Sequence, residues 1–419
     1  MTTLTKPLDI RRTSSVAAMF MGIAVAALLS GCLPGTRRPA RGPDRCESIR
    51  AIWVTRWDYK TPSDIAKVMD NCRSAGFNTV LFQVRGNGTV FYRSKMEPWA
   101  DELGGRDPGF DPLAVACREA HSRGLDLHAW INVMPGWHGN NAPTNPRQLY
   151  LAHPEWFWYD AAGRRQPLGW YSNLNPCLPE VRRHLVALMR EIVGSYPVDG
   201  LHLDYIRFPN ERSGAYPPGA AVPDYPRDLR TLALFKRATG RTPQAAPRQW
   251  DAWRTENVTR IVRDIRAMMR KVNPRAKLSA AVGASPKEAK RRYFQDSRRW
   301  VADGLLDAVY PMNYSHDATT FNKRLRNWSD MRLPIPVVVG VMSDKRGGSV
   351  VVEQISRTVK RTGHFAVFAY NSLFERLDRS GRPIRNQQSA SRAALRKQVI
   401  PHVRRLAAAR LRPSLVSSR

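Results

Sequence analysis

The chain has 419 residues, of which 42% are apolar and 9% aromatic, and it carries a formal charge of +32. That length and apolar share exclude a disulfide-stapled miniprotein and a disordered polyelectrolyte, and they suffice for one large core. So basic a balance would suggest nucleic acid in a cytosolic protein, but the N-terminus argues against access to it.

Lys6, Arg11 and Arg12 precede an apolar stretch from Val16 to Leu29, which breaks at Ser30-Gly31-Cys32. A basic start, a short apolar core and small residues before a cysteine predict an export signal over residues 1–31, too short for a stable span. Leu29-Ser30-Gly31-Cys32 resembles the bacterial lipobox, in which the thiol is acylated and becomes the first mature residue. Cys32 is therefore the expected lipid anchor; the alternative is an ordinary secretory signal that contains a cysteine. Leu33, where an aspartate would signal inner-membrane retention, favours the outer membrane facing the periplasm. Removing the signal leaves about +30, densest from Arg376 onward. For an exported chain the expected electrostatic partner is polyanionic envelope material, not nucleic acid; the alternative is arginine spread over a solvated surface. Residues 32–47 are rich in Pro, Gly and Arg and read as a tether. Cys46, Cys72, Cys117 and Cys177 could form disulfides in three connectivities or stay as buried thiols. None has metal-ligand spacing, and no metal or organic cofactor is expected.

From residue 48 a rhythm sets in. The strand-length runs "IRAIWVTR", "NTVLFQV", "LDLHAWINV", "VDGLHLD", "KLSAAVG", "LLDAVYPMNY", "PIPVVVGV" and "HFAVFAY" alternate with helical patterns that begin near Ser63, Pro112, Pro179 and Ser349. Near-continuous apolar strands between helices argue for a parallel sheet covered on its outer face. Eight such units predict an α/β fold, a (β/α)8 barrel over residues 48–388, with long loops after strands three and four. A doubly wound sheet would want a Gly-rich turn after the first strand, where Thr55-Arg56-Trp57-Asp58-Tyr59 stands instead. Residues 389–419 read as a basic helix and tail against the barrel.

In such barrels functional groups sit at the C-terminal strand ends, where a rigid strand holds them in the mouth. Those ends carry Arg56, Trp57 and Asp58; Gln83 and Arg85; Trp130 and Asn132; His202, Asp204, Tyr205 and Arg207; Asn313, Tyr314, His316 and Asp317; Tyr370 and Asn371. Aromatic faces beside amides, carboxylates and arginines suit a sugar, while phosphate chemistry would want Gly-rich turns at helix starts.

"RAIWVTR", "AGFNTVLFQVRGNGTVFYRS", "GLDLHAWINV", "VDGLHLDYIRFP" and "LLDAVYPMNY" together resemble the bacterial family 10 glycosyl-hydrolase-like lipoproteins, in order, from Arg50 to Leu373. The resemblance implies an exported, often lipid-anchored glycosidase barrel linked to envelope glycans, with at least one relative acting on peptidoglycan strands that lack stem peptides. It points to Asp204 as a catalytic carboxyl; the alternative is that Asp204 pairs with Arg207 or Arg85 to fix the mouth. Members with two adjacent acids here contrast with Asp204-Tyr205 in this chain. The segment also resembles the Asp-rich strand of chitinase-type barrels through Asp199, Gly200 and Asp204, but His202 replaces an aspartate and Ile206 the terminal glutamate, so substrate-assisted chemistry does not transfer.

Glycoside hydrolysis calls for a second carboxyl. Asp317, directly after a strand, is the expected one, with Asp58, Asp101, Glu155, Glu288, Asp344 and Glu375 as alternatives and Asp307 as structural. The expected substrate contacts are Gln83, Arg85, Trp130, Asn132, His202, Tyr205, Arg207, Asn313 and Tyr314. Among the loop aromatics Trp137, Trp156, Phe157, Trp158, Trp170 and Tyr171, some line a glycan cleft or all form a satellite core. The expected activity is hydrolysis of peptidoglycan-type glycan; the alternative is a non-catalytic glycan-binding lipoprotein that tethers the envelope or organises other hydrolases.

Overall fold

Among the described residues ten strands are formed: β1 (Arg50–Val54), β2 (Thr79–Arg85), β3 (Asp126–Asn132), β4 (Pro135–Gly139), β5 (Gly169–Asn173), β6 (Gly200–Asp204), β7 (Lys277–Gly283), β8 (Ala308–Met312), β9 (Val339–Met342) and β10 (Phe365–Phe368). The computed structural model describes residues 48–209, 224–343, 347–376, 378 and 382–409. The export signal, Cys32, Cys46, the tether, Asp344 and the last ten residues lie outside the described residues.

Eight of the strands close a parallel barrel in the order β1-β10-β9-β8-β7-β6-β3-β2, the predicted (β/α)8 architecture. Each strand is buried on both faces because helices cover the outside while side chains fill the lumen. Ala51, Trp53, Leu81, Trp130, Tyr310, Val338 and Ala366 pack together inside the barrel. Large and small residues alternate there: a side chain added at Gly340 would meet the Trp53 ring at 3.0 Å, so the bare glycine makes the space that the indole fills.

The two long loops are built differently. After β3 the chain forms an antiparallel hairpin from β4 and β5, which arches over the strand ends. After β6, from Asp224 on, it forms a helix Leu229–Thr239 and then the 26-residue helix Pro247–Val272.

Several helices start on a side chain that follows a strand. Thr61 and Asp64 form a capping box for Pro62–Ser74, and Asp111 caps Pro112–Ser122. Such residues satisfy backbone N–H groups left over in the first turn. The helix Ser389–Ala409 buries Leu395, Val399, Ile400 and Val403, and Arg392 and Arg404 donate to the carbonyls of Asn371 and Ser74 at 2.7 and 2.6 Å. Cys72, Cys117 and Cys177 are buried free thiols, so the disulfide alternative fails for these three. No helix among the described residues is long and apolar enough to cross a membrane.

Candidate active site

Asp204 is the last residue of β6, level with Asn132 at the end of β3. Its backbone carbonyl accepts from the Val133 N–H at 2.8 Å, which fixes the strand end. Tyr205 then turns into the left-handed region at φ 50°. That conformation costs a non-glycine residue about 1–3 kcal/mol, and here it aims the Tyr205 N–H back at the Asp204 carboxylate, 2.6 Å away. The same oxygen accepts from Arg207 Nη1 at 3.2 Å. Asp204 is only 6% exposed. Burial is the largest influence on its carboxyl and pushes it above the ordinary aspartate range, against Arg207, the Tyr205 N–H and the Trp130 indole, which favour the charged form.

A second group of residues comes from β1 and the hairpin. The Arg56 guanidinium, 1% exposed, donates to Glu102 Oε1 at 2.6 Å and to the Tyr171 hydroxyl at 3.2 Å. Gly86 makes this possible, because a Cβ there would stand 2.7 Å from Arg56 Nη1. The Tyr171 hydroxyl also accepts from Asn132 Nδ2 at 3.3 Å, and its ring meets the edge of Tyr205 with centroids 5.1 Å apart. Glu102, Arg56, Tyr171, Asn132, Tyr205 and Asp204 thus form one continuous network. Two large aromatics beside it are open to solvent: Trp57, 37% exposed under the Arg56 guanidinium at 4.1 Å, and Trp170, 48% exposed against His138 and Tyr171.

Several expected site residues have other work. Arg85 is fully buried in a two-pronged ion pair with Glu97 at 2.8 and 2.9 Å and donates to the carbonyls of Asn132, Val133 and Pro135. It ties the strand-three loop to the barrel and reaches no solvent. Burial alone would raise the Glu97 carboxyl, but Arg85 and His184 overcome that and hold it at about 2. His202, also fully buried, accepts from Trp53 Nε1 at 3.1 Å and bonds Ser279 at 3.0 Å, so it is part of the lumen packing and not a substrate contact. Gln83 accepts from the Arg56 N–H at 3.0 Å and acts by holding that loop. Asn313 donates to the Phe321 carbonyl at 2.9 Å and fastens the strand end to the next helix. Tyr314 is half-buried against Phe368, its centroid 5.4 Å away.

Asp317 does not join the network. It is exposed and caps the helix Ala318–Ser329, accepting from the Thr320 N–H at 2.6 Å. Most of the alternative acids are engaged elsewhere: Glu155 with His153, Glu288 with Arg291, and Glu375 with Arg396. Asp58 is 4% exposed and accepts from the Thr55 N–H and hydroxyl at 2.7 and 3.0 Å; burial, its largest influence, raises it to about 7. Asp307, at the opposite end of its strand, is held by Arg266 at 2.7 and 2.9 Å. The second carboxylate tied to the Asp204 network is Glu102, next to the alternative Asp101, in a short 3-10 turn that no periodicity announces. Of the loop aromatics, Trp137, Trp156, Phe157 and Trp158 are buried in the main core, continuous with the packing around the barrel, rather than in a satellite cluster; Tyr171 is buried too, and only Trp170 stands open. No group of three or more His, Cys, Asp or Glu among the described residues could hold a metal ion.

Residues 48–355 match the family model "Glycosyl hydrolase-like 10". The chain is 26% identical over 392 residues to the protein named glycosyl hydrolase DigH of Escherichia coli (strain K12), covering 78% of this chain and 81% of that one. Among solved structures it resembles the PgaB (BpsB) glycoside hydrolase domain of Bordetella bronchiseptica, with a TM-score of 0.56 at 13% identity over 77% of this chain and 94% of that one. It also resembles α-L-fucosidase isoenzyme 2 of Paenibacillus thiaminolyticus, with a TM-score of 0.58 at 13% identity; 87% of this chain is covered, but only 50% of the fucosidase chain. At such identities the two structures speak for the barrel alone. The family match and the named relative support a glycosidase, and the chain belongs to the glycosyl hydrolase-like 10 family.

Proposed function

We propose that the protein is an exported, lipid-anchored hydrolase of envelope glycan, acting on peptidoglycan glycan strands from the periplasmic face of the outer membrane. The observation that carries the reading is Asp204: a buried carboxyl at a strand end, raised above the ordinary aspartate range by burial, in one network with Tyr171, against which the solvent-open Trp170 packs. A carboxyl that holds its proton to higher pH than an open aspartate is better suited to protonate the leaving oxygen of a glycosidic bond. Tryptophan faces give a sugar ring an apolar platform, and Trp57 and Trp170 stand on either side of the Arg56–Tyr171 contact. The second carboxyl the reaction calls for is Glu102, bonded through Arg56 to Tyr171, whose ring meets Tyr205 beside Asp204. The lipobox-like Leu29-Ser30-Gly31-Cys32 supports export and anchoring.

A second reading is a glycan-binding barrel without turnover, and the Asp204–Arg207 ion pair favours it, because it gives Asp204 a positioning role that needs no chemistry. Incubation with peptide-free glycan strands separates the two. New reducing ends that vanish in Asp204→Asn support the hydrolase. Strand binding without new ends, unchanged in Asp204→Asn, leaves the binding barrel.

A further inference from the structure

Among the described residues, Arg56, Arg85 and Arg207 lie at or just beyond barrel strand ends, and they are used differently. Arg85 is fully engaged by Glu97 and three carbonyls, and Arg56 by Glu102 and Tyr171. Arg207 keeps 17% of its side-chain surface open and has one acceptor among the described residues, Asp204 Oδ1 at 3.2 Å through Nη1. Its guanidinium carbon stands 4.5 Å from the centroid of the Tyr205 ring. A guanidinium offers five N–H donors in a rigid fork, so one ion pair and one aromatic face hold Arg207 in place while most of its donors have no acceptor among the described residues. Cation–π contact of this kind steadies the group without using up an N–H.

We propose that Arg207 reads a carboxylate carried by the glycan next to the bond that Asp204 serves, making the enzyme selective for acidic sugars over their neutral counterparts. The inference rests on the glycosidase reading and deepens it. The planar fork matches a carboxylate in two-pronged fashion, which a hydroxyl cannot use. The net charge of the whole chain, +32, favours a polyanionic partner. The position has a consequence for the chemistry. A substrate carboxylate held by the remaining donors offsets part of the guanidinium charge that favours the ionised form of Asp204 at the moment an acidic sugar is bound. Recognition of the acid and retention of the Asp204 proton are thereby coupled through one side chain.

The test compares peptide-free peptidoglycan strands, whose lactyl ethers end in carboxylates, with the same strands after those carboxyls are reduced to alcohols. The full mature chain should cleave the reduced strands with a kcat/KM at least tenfold lower. Arg207→Gln should bring the ratio between the two close to one, whatever its absolute rate, and Arg207→Lys should restore part of it. Thermal melting of both variants checks that they fold. Calorimetric binding of both strand forms provides a readout independent of turnover. Tighter, Arg207-dependent binding of the carboxylate form with no cleavage of either would sustain the inference and end the hydrolase reading. A wild-type chain that binds and cleaves both forms alike, or an Arg207→Gln variant that keeps the preference, overturns it. Oligouronides as a third ligand tell a ring carboxylate from a lactyl one: Arg207-dependent binding of either supports the inference, and the stronger binder names the source.

Discussion

Asp204 owes its chemistry to two neighbours that the local sequence supplies within three positions, and to its burial at the strand end. The left-handed Tyr205 returns its N–H to the carboxyl, Arg207 pairs with it, and the strand end keeps water away. Burial opposes ionisation more strongly than these donors favour it, so the proton is retained to higher pH than on an open aspartate. If that proton is delivered to the leaving group, activity falls as pH rises through the elevated Asp204 value, while strand binding does not. Asp204→Asn, which keeps the shape and cannot deliver a proton, is expected to lower kcat by at least about 100-fold and to abolish the alkaline limb of the kcat profile. A variant that keeps that limb would assign it to another group. Glu102→Gln addresses the second carboxyl: a kcat loss of more than about tenfold is expected, and a rise in KM alone would reduce Glu102 to a support for Arg56.

At the scale of elements, the hairpin of β4 and β5 brings Tyr171 and Trp170 to the mouth from the loop after β3. Trp170 has no packing reason to be half open to water, and a stacked sugar would supply one. Trp170→Ala is therefore expected to raise KM on glycan strands about fivefold, equivalent to about 1 kcal/mol of ring contact, with kcat little changed; an unchanged KM would remove Trp170 from the cleft.

The same scale explains what could be read from sequence. Strands such as "NTVLFQV" announce themselves because both faces are buried, so the apolar run is nearly unbroken. Strand ends were legible as positions, and Asp204 was found that way. The job of each polar residue at a strand end was not legible, because in a (β/α)8 barrel the helices begin at the same end. An acid just after a strand can face the mouth, as Asp204 does, or cap the next helix, as Asp317 does, and the two look alike in sequence. The helix pattern that follows Asp317 at once is the signal that marks it as a cap, since its carboxylate takes the Thr320 backbone N–H of the first turn. His202 and Asp204 alternate correctly onto one strand face, yet that face is lumen at one and mouth at the other. Arg85 found its partner in Glu97, twelve positions on in an irregular loop, a distance that no periodic pattern predicts.

For the molecule as a whole, the buried carboxyls set opposing pH dependences. Glu97 is held at about 2 against an ordinary 4.5. A carboxyl depressed on folding stabilises the native state above its unfolded value, and that stabilisation, about 3 kcal/mol at one pKa unit per 1.36 kcal/mol, is lost as pH falls toward 2. Asp58 works the other way. Its carboxyl is raised from 3.8 to about 7, so the folded chain binds the proton more tightly than the unfolded one between those values. Stability therefore declines as pH rises from about 4 to 7, by about 4 kcal/mol from this group, and the loss persists above 7. Substituting an uncharged isostere removes that decline and leaves the Thr55 N–H with an acceptor. Urea unfolding of wild type and Asp58→Asn at pH 5 and pH 8 checks the argument. The variant should gain at least about 2 kcal/mol over wild type at pH 8 relative to its difference at pH 5. Glu97→Gln supplies the converse, destabilising by about 3–5 kcal/mol at neutral pH because it strands a buried guanidinium, with the difference shrinking as the acid transition of Glu97 is approached. Parallel behaviour of Asp58→Asn and wild type across the two pH values would mean that Asp58 ionises freely, and that its burial at the end of β1 is relieved by solvent.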